Sequence, residues 1–114
     1  MSTCLFCAIA AGDIPADTVH VDADVLAFRD LNPQAPVHVL VIPRSHYANA
    51  AELAVADPEL TARVLTVAAQ VARAEGIADS GYRLVTNTGD QAGQSVHHVH
   101  VHLLGGRDLA WPPG

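Results

Sequence analysis

Gln94-Ser95-Val96-His97-His98-Val99-His100-Val101-His102-Leu103-Leu104-Gly105-Gly106 is the stretch around which this chain is organised. It holds four of the seven histidines. His98, His100 and His102 alternate with Val99, Val101 and Leu103. A period of two is the period of a β-strand, whose successive side chains point to opposite faces. Three imidazoles therefore line one face, while valines and a leucine fill the other. Buried imidazoles need partners. A row of three asks for a metal, an anion or chemistry.

At 114 residues, half of them apolar, the chain is long enough for one domain with a real core and too short for two. Residues 1–114 are read as that single domain. No apolar run is long enough to span a membrane. The opening Met1-Ser2-Thr3-Cys4 has no basic segment of the secretory kind, so a cytoplasmic protein with no membrane partner is expected. The net charge is −6, with six arginines and no lysine. A nucleic-acid polymer needs a basic stripe, and none is present. A small anion can still be held by backbone amides and imidazoles.

Working outward from the histidine strand, residues 37–43 are β-branched and apolar, the composition of a central strand. His38 interrupts them on the face of Leu40 and Ile42. Alone it would read as a core histidine; beside three strand histidines it reads as part of a site. Thr18–Val21 and residues 25–30 read as a hairpin around Asp22-Ala23-Asp24, and residues 31–36 as a loop. Residues 4–11 read as one or two helical turns stopped at Gly12. Asp57-Pro58 opens the one long helix expected, with Leu60, Val64, Val67 and Val71 at helical spacing and Gly76 closing it. An apolar patch around Leu65 is free to face a partner subunit. Residues 82–87 read as a further strand, residues 88–93 as a loop, and the tail through Trp111-Pro112-Pro113 as extended. The expectation is an α+β fold: an antiparallel sheet of about five strands, one long helix and a short N-terminal helix.

A neutral imidazole is a good nucleophile toward phosphorus when one nitrogen is free and the other is held protonated. Gly93-Gln94-Ser95, just before the strand, offers amides and a hydroxyl suited to phosphate oxygens. The rival is a zinc centre built from the three histidines. Spacing alone leaves these two readings nearly even.

The run His98-Val99-His100-Val101-His102-Leu103-Leu104 resembles the signature of the histidine-triad (HIT) family of nucleotide hydrolases and transferases. The resemblance extends to residues 26–36, to His38 and Val41-Ile42-Pro43-Arg44-Ser45-His46, to Gly93-Gln94-Ser95-Val96, and to the ending Leu104-Gly105-Gly106-Arg107 with Trp111-Pro112-Pro113-Gly114. These look like the Hint branch, the purine nucleoside phosphoramidase type, and cover nearly the whole chain. The resemblance implies that His100 attacks the α-phosphorus of a purine nucleoside 5′-phosphoramidate and forms a nucleotidyl-histidine that water then hydrolyses. It implies that the His98 carbonyl holds the His100 ring, and that His102 and His38 sit beside the phosphate. Ser95 would assist the leaving amine, and Asn87, Gly93 and Gln94 would lie at the phosphate. Asp30 would take the ribose hydroxyls, between Phe28 and Leu31 as walls for the purine. Each has a plainer alternative: core packing for Phe28 and Leu31, loop or strand-end caps for Asp30 and Asn87, a turn residue for Ser95. A homodimer is also implied.

Cys4-Leu5-Phe6-Cys7 is a CxxC pair, in such a chain more often a metal half-site or redox pair than a structural bridge. With His46 and one histidine of the triad strand it can complete a Cys2His2 zinc site. Family members that carry such a site imply Cys4, Cys7, His46 and His98, with His97 the alternative ligand. That zinc would be structural, since no ligand position stays open, and no catalytic cofactor is expected. Three functions follow: a nucleotidyl hydrolase, a zinc hydrolase using the triad as ligands, or a nucleotide-binding regulatory module with little turnover.

Overall fold

A computed structural model of the chain describes residues 4–114. The reading of Met1-Ser2-Thr3 as leaderless lies outside the described residues. Five strands form one antiparallel sheet: β1 (Thr18–Val21), β2 (Val25–Arg29), β3 (Val37–Pro43), β4 (Tyr82–Val85) and β5 (Val101–Gly105), in the order β1-β2-β3-β5-β4. Among the described residues three α-helices accompany it: α1 (Leu5–Ala10), α2 (Ala50–Ala56) and α3 (Pro58–Ala74). The expected α+β architecture is the observed one, with a helix more than expected.

Strand alternation divides the core into two faces. Val25, Ala27, Val39, Val41, Val101 and Leu103 meet the Val64, Val67 and Val71 row of α3. Leu26, Phe28, Leu40 and Ile42 point the other way and meet Phe6 of α1. A fully buried valine contributes about 1.5–3 kcal/mol relative to an exposed one. The α3 row therefore outweighs the ~1 kcal/mol of its N-cap, in which the Asp57 carboxylate accepts the Leu60 N–H at 3.0 Å. Just beyond the helix, Gly76 takes φ +78°, a left-handed conformation that favours glycine.

Two elements differ from the sequence reading. Residues 50–56 form α2, capped by Asn49, whose side chain accepts the Glu52 N–H at 2.9 Å. The histidine strand is also shorter than its alternation suggests, because ladder pairing begins only at Val101, opposite Val41. Pro43 ends β3, and the chain ahead of β5 bonds elsewhere: the Val99 N–H donates to the Tyr47 carbonyl at 2.7 Å. Only His102 of the triad lies in the ladder. The alternation of faces nonetheless persists, with Val99 in the α3-side core. Register places Leu40 opposite His102 and His38 opposite Leu104, so His38 and His102 are diagonal neighbours on the α1 side.

Candidate active site

On the α1 side of the sheet lies a pocket of about 290 Å³. Leu5, Phe6 and Ile9 of α1, with Ile14, Phe28 and Leu40, make it apolar. Asp30, Leu31, Ser95, His100 and His102 also line it. One side is thus suited to a flat apolar ring and another to polar and anionic groups.

The histidines are ordered by a chain of hydrogen bonds that settles their tautomers. The Gln34 N–H donates to His38 Nδ1 at 3.0 Å, so the His38 proton sits on Nε2. That Nε2 donates to His102 Nδ1 at 2.9 Å, in preference to the Asp30 carboxylate at 3.4 Å. The His102 proton is therefore on Nε2. His100 Nδ1 donates to the His98 carbonyl at 2.8 Å, which leaves its Nε2 lone pair as the ring's nucleophilic position. The His100 and His102 rings lie 5.0 Å apart between centroids. The pocket thus receives one lone pair and, beside it, one N–H donor.

Burial holds the His38 imidazole below the ordinary histidine value, against the opposing pull of Asp30. Burial, then the neighbouring His100 and His38 rings, push His102 down to about 4. Both rings are neutral at neutral pH, as the tautomer chain requires.

The His98 ring turns away from the other two. Its Nε2 donates to the Pro43 carbonyl at 2.8 Å, so Nδ1 carries the lone pair. That Nδ1 lies 3.4 Å from both the Cys4 and Cys7 sulfurs and 3.3 Å from His46 Nδ1; Cys7 Sγ is 3.4 Å from His46 Nδ1. All four donor atoms lie within 4.8 Å of one another. Tetrahedral zinc with bonds of about 2.0–2.3 Å spaces its ligands by roughly 3.3–3.8 Å. The donor set and its spacing fit such an ion. The Pro43 carbonyl supplies the outer hydrogen bond that metal-ligating histidines usually have. His97 is exposed and stands outside this group.

The HIT domain family matches residues 11–109 of the chain. The chain belongs to the histidine-triad (HIT) family. The purine nucleoside phosphoramidase of Escherichia coli K12 is 46% identical over 92% of this chain and 88% of its own length. The 14 kDa zinc-binding protein of Zea mays is 48% identical over 99% of this chain and 89% of that one. The crystal structure of a HIT family hydrolase from Legionella pneumophila matches with a TM-score of 0.95 and 52% identity, covering 98% of this chain and 100% of that one.

In this HIT fold Phe28, Asp30, Leu31, Ser95, His100 and His102 come together around one pocket, with His38 behind His102. Asn87, Gly93 and Gln94 are not brought to its lining. The Gly93 and Gln94 amides instead close their loop, donating to the Asp90 and Gly89 carbonyls. The Gln94 side chain accepts from the Gly89 N–H and donates to the Ala48 and Val96 carbonyls. These bonds hold the loop that precedes the triad stretch. A zinc centre made of the three triad rings is not formed either. The nitrogens facing their partners diverge: His98 Nδ1 toward the cysteines, His100 Nδ1 toward a carbonyl, His102 Nδ1 toward His38. Sequence reading missed the α1 wall of Leu5, Phe6 and Ile9. Its signal was an apolar i, i+4 pair interleaved with the CxxC.

Proposed function

We propose that this HIT domain hydrolyses purine nucleoside 5′-phosphoramidates through a covalent nucleotidyl-histidine on His100. The observation that carries the reading is the 2.8 Å bond from His100 Nδ1 to the His98 carbonyl, which commits one nitrogen and directs the other to chemistry. The Nε2 lone pair attacks the α-phosphorus, and the P–N bond breaks as the leaving amine takes up a proton. Ser95, on the pocket lining, assists that departure. Water then attacks the phosphorus, the P–Nε2 bond breaks, and the nucleoside monophosphate leaves with His100 restored. His102 donates from Nε2 to a phosphate oxygen, and His38 holds it in that tautomer. Asp30 takes the ribose hydroxyls, and Phe28 and Leu31, with the α1 wall, take the purine.

Cys4, Cys7, His46 and His98 hold a structural zinc, which neutralises the facing thiolates and imidazole lone pairs and takes no part in the bond changes. The similarity to a zinc-binding relative supports this. The protein acts in the cytoplasm as a homodimer, whose contact includes the exposed Tyr82 and Leu84 of edge strand β4 and Leu65 of α3. Among the described residues, no helix is long and apolar enough to cross a membrane.

The test is an assay on adenosine 5′-phosphoramidate with wild type and His100→Ala, with and without a strong chelator, beside AMP binding by calorimetry. Wild type should turn over with or without chelator. The variant should lose at least about 10³-fold in turnover while still binding AMP. Unchanged turnover in His100→Ala would refute the nucleophile. AMP binding by wild type without any turnover would identify a binding module instead.

A further inference from the structure

Helix α1 carries two interleaved sets of side chains. Cys4, its N-cap, and Cys7, one turn on, belong to the Cys/His cluster. Leu5, Phe6 and Ile9 belong to the pocket wall. Six residues are too few for a helix to hold itself in place. Its position therefore depends on tertiary ties, of which the cluster is one and the Arg44 guanidinium on the Ala10 carbonyl, at 3.0 Å, another. Phe6 stands between the two sites: its ring meets Phe28, His98 and His100 edge-on at centroid distances of 5.5, 6.0 and 5.1 Å. His98 joins them a second time, with its ring in the cluster and its carbonyl on the His100 Nδ1–H. Both connections run through packed or hydrogen-bonded atoms, with no flexible loop between.

We infer that Cys4, Cys7 and His46 are positioning residues for the nucleotide: a metal held by them and His98 seats α1 and sets the affinity of the pocket for the purine. The inference rests on the pocket's being a nucleotide site. Coupling of this kind is reciprocal, so nucleotide must tighten the metal by the factor that metal tightens nucleotide. The effect falls mainly on binding: the base wall is built on α1, the His38–His102 pair on β3 and β5, and the His98 group that holds His100 is its main-chain carbonyl and not the ring that faces the metal.

The experiment compares AMP binding by the zinc-loaded and zinc-stripped protein using calorimetry. The second readout is the visible spectrum of the cobalt-substituted protein during an AMP titration. Stripping should weaken AMP binding at least about five-fold, with restoration on adding zinc. KM should rise by a similar factor while kcat changes less than about three-fold. The cobalt bands should shift and saturate with AMP, a response that a merely structural metal would not give. The cobalt arm also stands if the stripped protein loses its fold. Leu5→Ala, at a half-exposed position, should keep the metal yet weaken AMP binding. Equal AMP affinity with and without zinc, cobalt bands indifferent to bound AMP, or failure to bind either metal would overturn the inference while leaving the nucleotide site standing. A zinc-loaded protein that does not bind AMP would instead overturn the nucleotide reading itself.

Discussion

His98 reaches in unlike directions: its Nε2 donates to Pro43, its Nδ1 faces two sulfurs and His46, and its carbonyl accepts from His100. His102 shows how such placement changes a residue's chemistry. An exposed histidine titrates near 6.5, whereas burial and its two histidine neighbours push this one down to about 4. The unfolded chain therefore takes up a proton between these values that the folded protein refuses. Stability should be full above pH 6.5 and fall as the pH drops toward 4, by roughly 1–3 kcal/mol. His38 is shifted in the same direction by burial and steepens the fall. Asp22 does not confuse this window. Its carboxylate is held well below the usual 3.8, chiefly by His20, so its contribution is lost only below that value. Urea melts at several pH values between neutrality and pH 4 measure the slope. A flat profile would mean that folded His102 accepts the proton, contrary to its role as a neutral acceptor from His38.

Among the elements, α2 is the one that sequence periodicity did not reveal. Ala-Ala-Glu-Leu-Ala-Val-Ala has too few turns for a recurring stripe, and its single deep anchor is Leu53. Leu53 is 2% exposed in the α3-side core, whereas Val55, two residues on, is 86% exposed. Leu53→Ala should cost about 2–4 kcal/mol, and Val55→Ala less than about 0.5 kcal/mol, both read from denaturant melts. Equal losses would show that α2 is held by its backbone and caps and not by that anchor. Helix α3 was legible because Leu60, Val64, Val67 and Val71 recur at helical spacing within its 17 residues and because Asp57-Pro58 starts it cleanly. The early end of the β5 ladder was not legible. Alternating residues keep alternating faces whether or not a partner strand lies alongside, and Pro43 removes the partner here.

Across the whole molecule, α3 packs over β1, β2, β3 and β5 and leaves the far edge strand thinly covered. Leu84 on that edge lies opposite Leu103, on the helix side of the sheet. It remains 37% exposed, as does Tyr82, and Leu65 of α3 is 49% exposed. Exposed apolar side chains along an open strand edge form a surface that pairs readily with another chain. Leu84→Glu should convert a sedimenting dimer to monomer with little change in the monomer's helix and strand content. A wild-type monomer at micromolar concentration, or a variant that stays dimeric, would rule out this contact.

By itself the sequence determined the two periods, the strand composition of residues 37–43, the cap and stop of α3 and the row of histidines that a site is read from. These are properties of neighbours along the chain, and the HIT resemblance reads the same neighbours. Only the tertiary structure decided which groups each histidine meets. Cys4 and His98 stand 94 positions apart and His38 and His102 stand 64 apart, and no local pattern tells one imidazole of an alternating row from the next. The structure also decided that Gln94 braces a loop and that Phe6 stands between the Cys/His cluster and His100. Those roles depend on the direction of a hydrogen bond or the edge of a ring, which are set only when distant segments close on one another.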